Sequence, residues 1–193
     1  MRFAQFPVAA LMLLSAGCIG LNKPAPPLRY VIDPKPQIAQ AENTSKTLAV
    51  RPLEPARPYK QNVVYREGAE MGIYTLIEWS ELPSDVATRA LIDALSASGR
   101  FKDAAKAIDL GVPDLILTGQ LRKFDLLRDT TPWTAVCEIR LELRQGAGRD
   151  LVWAKTLTAS EPLTTSESAA LPPAMNTALS HVIEGAVTEI VTK

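Results

Sequence analysis

Apolar side chains recur at every second position between residues 135 and 144, and this is the clearest pattern in the chain. They are Ala135, Cys137, Ile139, Leu141 and Leu143, and the intervening positions hold Val136 and four charged residues. Successive side chains of a strand point to opposite faces, so the pattern predicts one face in the core and the other in water. A turn at 145–150 follows, and residues 151–158 are predicted to return as the partner strand.

Strand-forming residues are also concentrated in five earlier segments, which are residues 28–32, 48–50, 62–66, 71–79 and 114–125. Prolines bracket the first segment. Because proline has no N–H for a sheet ladder, this segment is predicted to be an edge strand. Gly68 lies between the third and fourth segments, which predicts that these two form a hairpin.

Two segments show the spacing of an amphipathic helix instead. In residues 80–98, Pro83 suits the first turn and Gly99 is typical of the position just after a helix. Residues 166–192 carry a longer apolar stripe, formed by Met175, Leu179, Val182, Ile183, Ala186, Val187 and Ile190. The order is therefore several strands, a helix, three more strands and a helix. It predicts an α+β fold with a mainly antiparallel sheet and two amphipathic helices packed on one face.

The first eighteen residues have the layout of a secretory signal peptide. Arg2 precedes a short apolar run at residues 8–14, which is too short to span a bilayer. The stretch Leu14-Ser15-Ala16-Gly17-Cys18 resembles a bacterial lipobox. This resemblance implies that Cys18 becomes the acylated N-terminus of the mature protein and is held at a membrane. The alternative is an ordinary secretion signal cleaved near Cys18.

The chain is thus predicted to have three parts. Residues 1–17 are the signal peptide, 18–46 are the lipidated cysteine and a proline-rich tether with a short edge strand, and 47–193 are a periplasmic α+β domain. Removing residues 1–17 leaves 176 of 193, enough for one domain with a sizeable core. With Cys18 lipidated, Cys137 has no disulfide partner and is predicted to be a buried structural thiol. The 21 basic and 21 acidic residues balance, which gives no support for nucleic-acid binding.

Candidate chemistry is sparse. His181 is the only histidine, so a histidine metal site or a Ser-His-Asp triad would depend on it. It lies beside the apolar stripe of the last helix, as a surface or boundary residue would. Glu138 and Glu142 alternate with Arg140 and Arg144, which favours a solvated salt-bridge ladder over acid–base catalysis. The sequence predicts no enzyme activity, no catalytic residue, no metal site and no cofactor.

Several short motifs occur in a familiar order. They are Leu28-Arg29-Tyr30-Val31-Ile32, Leu48-Ala49-Val50-Arg51-Pro52, Tyr59, Val64-Tyr65-Arg66, Tyr74 and Trp79-Ser80-Glu81-Leu82-Pro83. This order resembles the ABC-type transport auxiliary lipoproteins, a family that includes the lipoprotein of the paraquat-inducible operon. The resemblance covers about residues 12–145.

The resemblance implies a function that composition does not reveal. Such lipoproteins accompany Mce-type ABC systems, which move lipids or other hydrophobic molecules between the inner and outer membranes, and they are not the ATPase. The implied partners are an Mce-domain protein and the ABC permease of the same system, with self-assembly left open. Ile19 stands where an inner-membrane lipoprotein commonly has aspartate, which implies an anchor in the inner leaflet of the outer membrane.

Two hypotheses follow. In the preferred one, the anchored domain docks partner proteins through sheet edges or through Tyr65, Arg66 and Trp79. In the alternative, helices and sheet enclose an apolar pocket, and the protein is a periplasmic carrier with a lipid ligand. The exposed apolar patch that a lipid-handling protein would need cannot be recognised from sequence alone.

Overall fold

The computed structural model describes residues 26–57 and 59–193, so Cys18, the predicted lipidation site, lies outside the described residues. These ranges contain nine strands and two α-helices. The elements are β1 Leu28–Tyr30, β2 Thr47–Val50, β3 Glu54–Pro55, β4 Asn62–Glu67, β5 Glu70–Trp79, α1 Pro83–Ala97, β6 Asp103–Lys106, β7 Leu115–Leu127, β8 Thr134–Gln145, β9 Leu151–Pro162 and α2 Leu171–Ile190.

Strand β7 organises the sheet. One of its edges pairs with β8 in antiparallel fashion, and β8 pairs in turn with β9. Its other edge takes three short strands in succession, β2, β3 and β4, all parallel to it. Strand β6 extends the sheet beyond β2, while β5 and then β1 extend it beyond β4. The prediction of an edge strand near residue 28 is confirmed by β1, although it ends at Tyr30.

The α+β class is confirmed, but the sheet is mixed. Three pairings are antiparallel and include the two longest ladders, whereas the other five pairings among the described residues are parallel. The prediction of a mainly antiparallel sheet is therefore confirmed only in part. The reason is the 13-residue length of β7, which leaves room for several strands that return through long crossovers, and such crossovers produce parallel pairs. The short strands β3 and β6 have no apolar alternation of their own, so the sequence did not predict them.

Both predicted helices are present. Pro83 starts α1, and Gly99 follows its end with a φ of 68°, a left-handed conformation that glycine adopts without steric cost. A single 3-10 turn at Ser168–Ala170 precedes α2, which packs on β8 and β9 and also contacts α1. Between helices and sheet lies one core, in which the five apolar residues of the β8 alternation are at most 2% exposed.

Residues 31–46, here called the strap, run in extended form across the helices. The backbone N–H groups of three alternate strap residues donate to side-chain oxygens that are four residues apart on α2. The bonds are Asp33 to Asn176 at 2.9 Å, Lys35 to Ser180 at 2.9 Å and Gln37 to Glu184 at 2.6 Å. Two residues of extended chain and four residues of helix each advance about 6–7 Å, so the two repeats match. Pro34 and Pro36, which have no N–H, occupy the intervening positions. The proline-rich segment therefore already packs against the domain from the strap onward.

Candidate partner-binding surface

The β4–β5 hairpin carries all three residues that the sequence singled out for partner binding. Tyr65 and Arg66 are neighbours in β4, so their side chains point to opposite faces of the sheet. Trp79 is the last residue of β5. The structure leaves Tyr65 and Arg66 partly exposed on opposite faces of the sheet and buries Trp79 in the core.

Trp79 is only 1% exposed. Its ring meets Phe124 edge-to-face, with ring centroids 5.5 Å apart, and lies 6.5 Å from the ring of Tyr30. The indole Nε1 has no hydrogen-bond partner among the described residues. A partner protein cannot reach this ring without unfolding the sheet, so Trp79 stabilises the hairpin and is not carried into the proposed binding surface.

Arg66 belongs to a buried ionic cluster. Its Nη1 lies 4.0 Å from Oδ2 of Asp125 on β7, and Nη1 of Arg57 lies 3.4 Å from the same oxygen. The Asp125 side chain has no exposed surface, whereas about a third of each arginine side chain is exposed. A buried carboxylate is costly unless it is paired, and these two cations supply the pairing. The signal in the sequence was a lone acid inside an apolar run, Phe124-Asp125-Leu126.

Tyr59 is a buried neighbour of this cluster. It is 3% exposed, and its hydroxyl donates to the backbone carbonyl of Arg122 at 3.0 Å. Burial raises the pKa of Tyr59, and the nearby negative charge of Asp125 raises it further. The tyrosine therefore remains a neutral donor, and the exposed ends of Arg57 and Arg66 are the polar groups that a partner can reach.

Tyr65 lies on the opposite face, in a stack of aromatic and cationic groups. Its ring meets Tyr74 edge-to-face at 5.1 Å, and the Arg128 guanidinium lies 4.9 Å from the ring centroids of both Tyr65 and Trp133. Gly72 permits this packing, because a Cβ there would lie 2.3 Å from Cζ of Tyr65. Burial raises the pKa of Tyr74, so its hydroxyl remains neutral. The contacts with Tyr74 and Arg128 hold the Tyr65 ring in place.

The outer edge of β5 is open over residues 70–76. Strand β1 covers only Ile77 to Trp79 of that edge, and no other described strand pairs there. Three apolar side chains on this stretch are at least half exposed: Met71, Ile73 and Leu76. An unpaired strand edge presents a row of N–H and C=O groups that can pair with another chain. We call residues 70–76 the docking edge.

A family comparison identifies the type of protein. The family model described as "ABC-type transport auxiliary lipoprotein component" matches residues 30–186. The chain belongs to this family. The resemblance deduced from the sequence is thereby confirmed. Members of the family are auxiliary components of transport systems, and the family is not a known enzyme family. No curated protein matches this auxiliary lipoprotein significantly in sequence.

Solved structures share the fold of this lipoprotein. Protein XCC0632 from Xanthomonas campestris is 20% identical, with a TM-score of 0.75 over 85% of this chain and 95% of that one. An uncharacterized protein is 14% identical, with a TM-score of 0.63 over 86% and 97%. Protein CT253 from Chlamydia trachomatis is 9% identical, with a TM-score of 0.55 over 77% and 96%. At these identities the comparisons show the fold alone.

The remaining candidate residues of the lipoprotein have structural roles. His181 is exposed, and its Nδ1 lies 2.7 Å from Oε1 of Glu161. Within 26–57 and 59–193, no group of three potential ligands is placed to hold a metal ion. Cys137 has no exposed surface, and burial raises the pKa of its thiol, so it is the structural thiol that was predicted. In the described part of the chain, neither helix has the length and apolar character needed to cross a membrane.

Proposed function

We propose that this lipoprotein is anchored through Cys18 in the inner leaflet of the outer membrane and docks the periplasmic end of an Mce-type ABC transport system. The system would move lipids or other hydrophobic molecules between the membranes. The family assignment supports an auxiliary role in ABC transport. The observation that carries the docking role is the docking edge, an unpaired strand edge with exposed apolar side chains.

The occupant of the docking edge would be an extended strand of the Mce-domain partner. In such strand addition, main-chain hydrogen bonds give affinity and alternate side chains give specificity. The chain's own N-terminal segment is a poor competitor. In the parallel register of β1, in which Leu28 faces Ile77, Pro26 and Pro27 come next along the edge, and neither has an N–H to donate.

Tyr65 and Arg66 would contribute beside the docking edge. Arg66 pairs with Met71 across the hairpin, and Tyr65 pairs with Gly72, so both lie one strand away from the incoming chain. The exposed part of Arg66 can donate to a carboxylate of the partner. Tyr65 adds a rigid aromatic surface, since its ring is held by Tyr74 and Arg128.

A single charge at the docking edge tests this proposal. In Ile73→Asp, recovery of the Mce-domain protein and its permease with the lipoprotein from cross-linked envelopes should fall at least about tenfold, because a carboxylate would be buried at the interface. Mass spectrometry of the retained proteins measures this. The matched control is Ile108→Asp, at a loop position that is 89% exposed, and it should retain normal recovery.

The same recovery experiment tests the role of Arg66 and defines the results that would contradict the proposal. Arg66→Ala should reduce recovery while the folded fraction, measured by thermal unfolding, stays high enough for comparison. Undiminished recovery with folded Ile73→Asp would contradict docking through this edge. Absence of any Mce-domain protein from the wild-type sample would contradict the proposed role in an Mce-type system.

The anchor is tested independently at Cys18. Cys18→Ser should abolish labelling by radioactive palmitate and remove the protein from the outer-membrane fraction of a density gradient. Labelling is the decisive measurement, because an uncleaved signal peptide would keep the variant at the inner membrane. Persistent labelling of the variant, or wild-type protein in the inner-membrane fraction, would contradict the proposed anchor or its location.

The carrier alternative has one supporting feature. A groove of about 480 Å³ lies between the strap and α1, and its floor includes the apolar residues Ile38, Ala90 and Ala94. It opens to solvent, and charged residues such as Asp33 and Arg89 share its rim. Lipid that co-purifies at about one molecule per protein, and is lost when Ala90 is replaced by a larger residue, would favour the carrier over docking.

A further inference from the structure

The face of the sheet that points away from the helices carries a cavity lined by three arginines. This basic cavity has a volume of about 250 Å³, and its lining residues are Arg51, Ile116, Thr118, Arg144 and Arg149. No acidic residue is among them. The docking edge lies on β5, beyond the strand β4 that pairs with one end of β7, whereas the cavity lies at the other end of β7, which pairs with β2. The two sites are therefore separate.

Three elements of the fold bring the guanidinium groups together. Arg51 follows β2, and its N–H donates to the Leu117 carbonyl of β7 at 2.9 Å. Arg144 stands on β8 opposite Ile116. Arg149 lies in the turn between β8 and β9 with a φ of 57°. The sequence separation of these residues hides the cluster, which only the pairing of β2 and β8 with β7 creates.

The cavity is positively charged and partly rigid. Arg144 donates through Nη2 to Glu142 Oε2 at 2.7 Å and through Nη1 to the Arg149 carbonyl at 3.1 Å. Glu142 also receives a hydrogen bond from Arg140 at 3.3 Å, so its single charge is shared between two cations. In the described part of the chain, neither Arg51 nor Arg149 forms an ion pair. The three arginines of the cavity therefore outnumber the one nearby carboxylate, which Arg144 shares with Arg140. This excess of positive charge favours the entry of an anion.

The donor set is chemically selective. Planar guanidinium groups bind phosphate oxygens through paired hydrogen bonds. The Thr118 hydroxyl also lines the cavity, where it donates to the backbone carbonyl of Glu142 at 3.5 Å. A second groove of about 550 Å³ continues from the cavity and shares Arg51 and Thr118 with it. Its lining includes Gln120 and Arg122 together with the carboxylates of Glu54 and Glu142, so a polar substituent on the phosphate would find both donors and acceptors there.

We infer that the basic cavity binds a phosphate ester, carried either by the headgroup of a membrane phospholipid or by a soluble phosphorylated molecule. The inference rests on the convergence of Arg51, Arg144 and Arg149 around a cavity without a carboxylate. It does not depend on the docking proposal, because a protein that binds no Mce-domain partner could still bind phosphate here.

The test is calorimetric titration of the full-length lipidated protein in a maltoside detergent, which contains no phosphate. The probes are inorganic phosphate, glycerol 3-phosphate and a short-chain phosphatidylglycerol. Saturable binding is expected, and it should weaken as salt is added. Binding of all three shows recognition of the phosphate group, binding of the lipid alone identifies a headgroup site, and binding of the two soluble probes alone identifies a soluble ligand.

Single Arg→Gln variants, compared with a control variant that loses the same charge elsewhere, make the test specific. Arg51→Gln and Arg149→Gln should each weaken binding about tenfold, because each removes a charged hydrogen bond to the anion. Both side chains are exposed and unpaired, so the fold should be retained. The control is Arg29→Gln on β1, which removes the same charge from a side chain that is 64% exposed. No saturable binding to any probe, or equal binding by wild type and Arg51→Gln, would overturn the inference.

Discussion

Replacing both Arg57 and Arg66 with alanine should destabilise the domain by about 3–5 kcal/mol. The two guanidinium groups are the cations beside the fully buried carboxylate of Asp125, at 3.4 and 4.0 Å. Without them the carboxylate would be buried and uncompensated. Urea unfolding followed by tryptophan fluorescence measures the change in the free energy of unfolding.

Two controls show whether burial of the charge is the cause. Adding Asp125→Asn to the double variant should restore part of the lost stability, because the uncompensated charge is then absent. Arg89→Ala breaks a shorter ion pair, 2.8 Å from Glu81, in which both side chains are about half exposed, and it should cost at most about 1 kcal/mol. If the triple variant were as unstable as the double variant, the charge argument would be wrong.

The second large effect is expected at Trp79. Trp79→Ala should cost about 3–5 kcal/mol, since it removes a fully buried indole that packs on Phe124. Trp79→Phe should cost much less, because the indole Nε1 makes no hydrogen bond that would be lost. Thermal and urea unfolding of the two variants check the difference.

A comparison with Trp153 gives this prediction its control. Trp153 is half-buried, and its Nε1 donates to Glu189 at 3.0 Å, so Trp153→Ala should cost less than Trp79→Ala. Folded Trp79→Phe should also bind the transport partners normally, since the ring is inaccessible. Loss of partner recovery in stable Trp79→Phe would place Trp79 in the binding surface after all.

Local pattern was enough to predict most of the elements. The alternation of residues 135–144 predicted β8, Gly68 predicted the hairpin of β4 and β5, and Pro83 predicted the start of α1, each of which is present. These features depend on side-chain periodicity and on the preferred backbone angles of glycine and proline, and both can be read within a few residues.

The candidate surface was only partly predictable. Tyr65 and Arg66 could be named because they are adjacent in one motif, but Asp125 is far away in sequence and meets Arg66 only through the β4–β7 pairing. Trp79 was named from the same motif, yet burial cannot be judged from a motif, and its ring lies in the core.

The sequence by itself determined the α+β class and the positions of most strands and of both helices, because short-range periodicity and local backbone preferences encode them. Its short motifs carried the resemblance to the family that the family model confirms. Tertiary structure alone decided that β7 takes parallel strands on one edge, that the docking edge is left open and that Arg51, Arg144 and Arg149 surround one cavity. The physical reason is that strand pairing joins residues distant in the chain, and their order and register are set by burial of the whole core, not by neighbours in sequence.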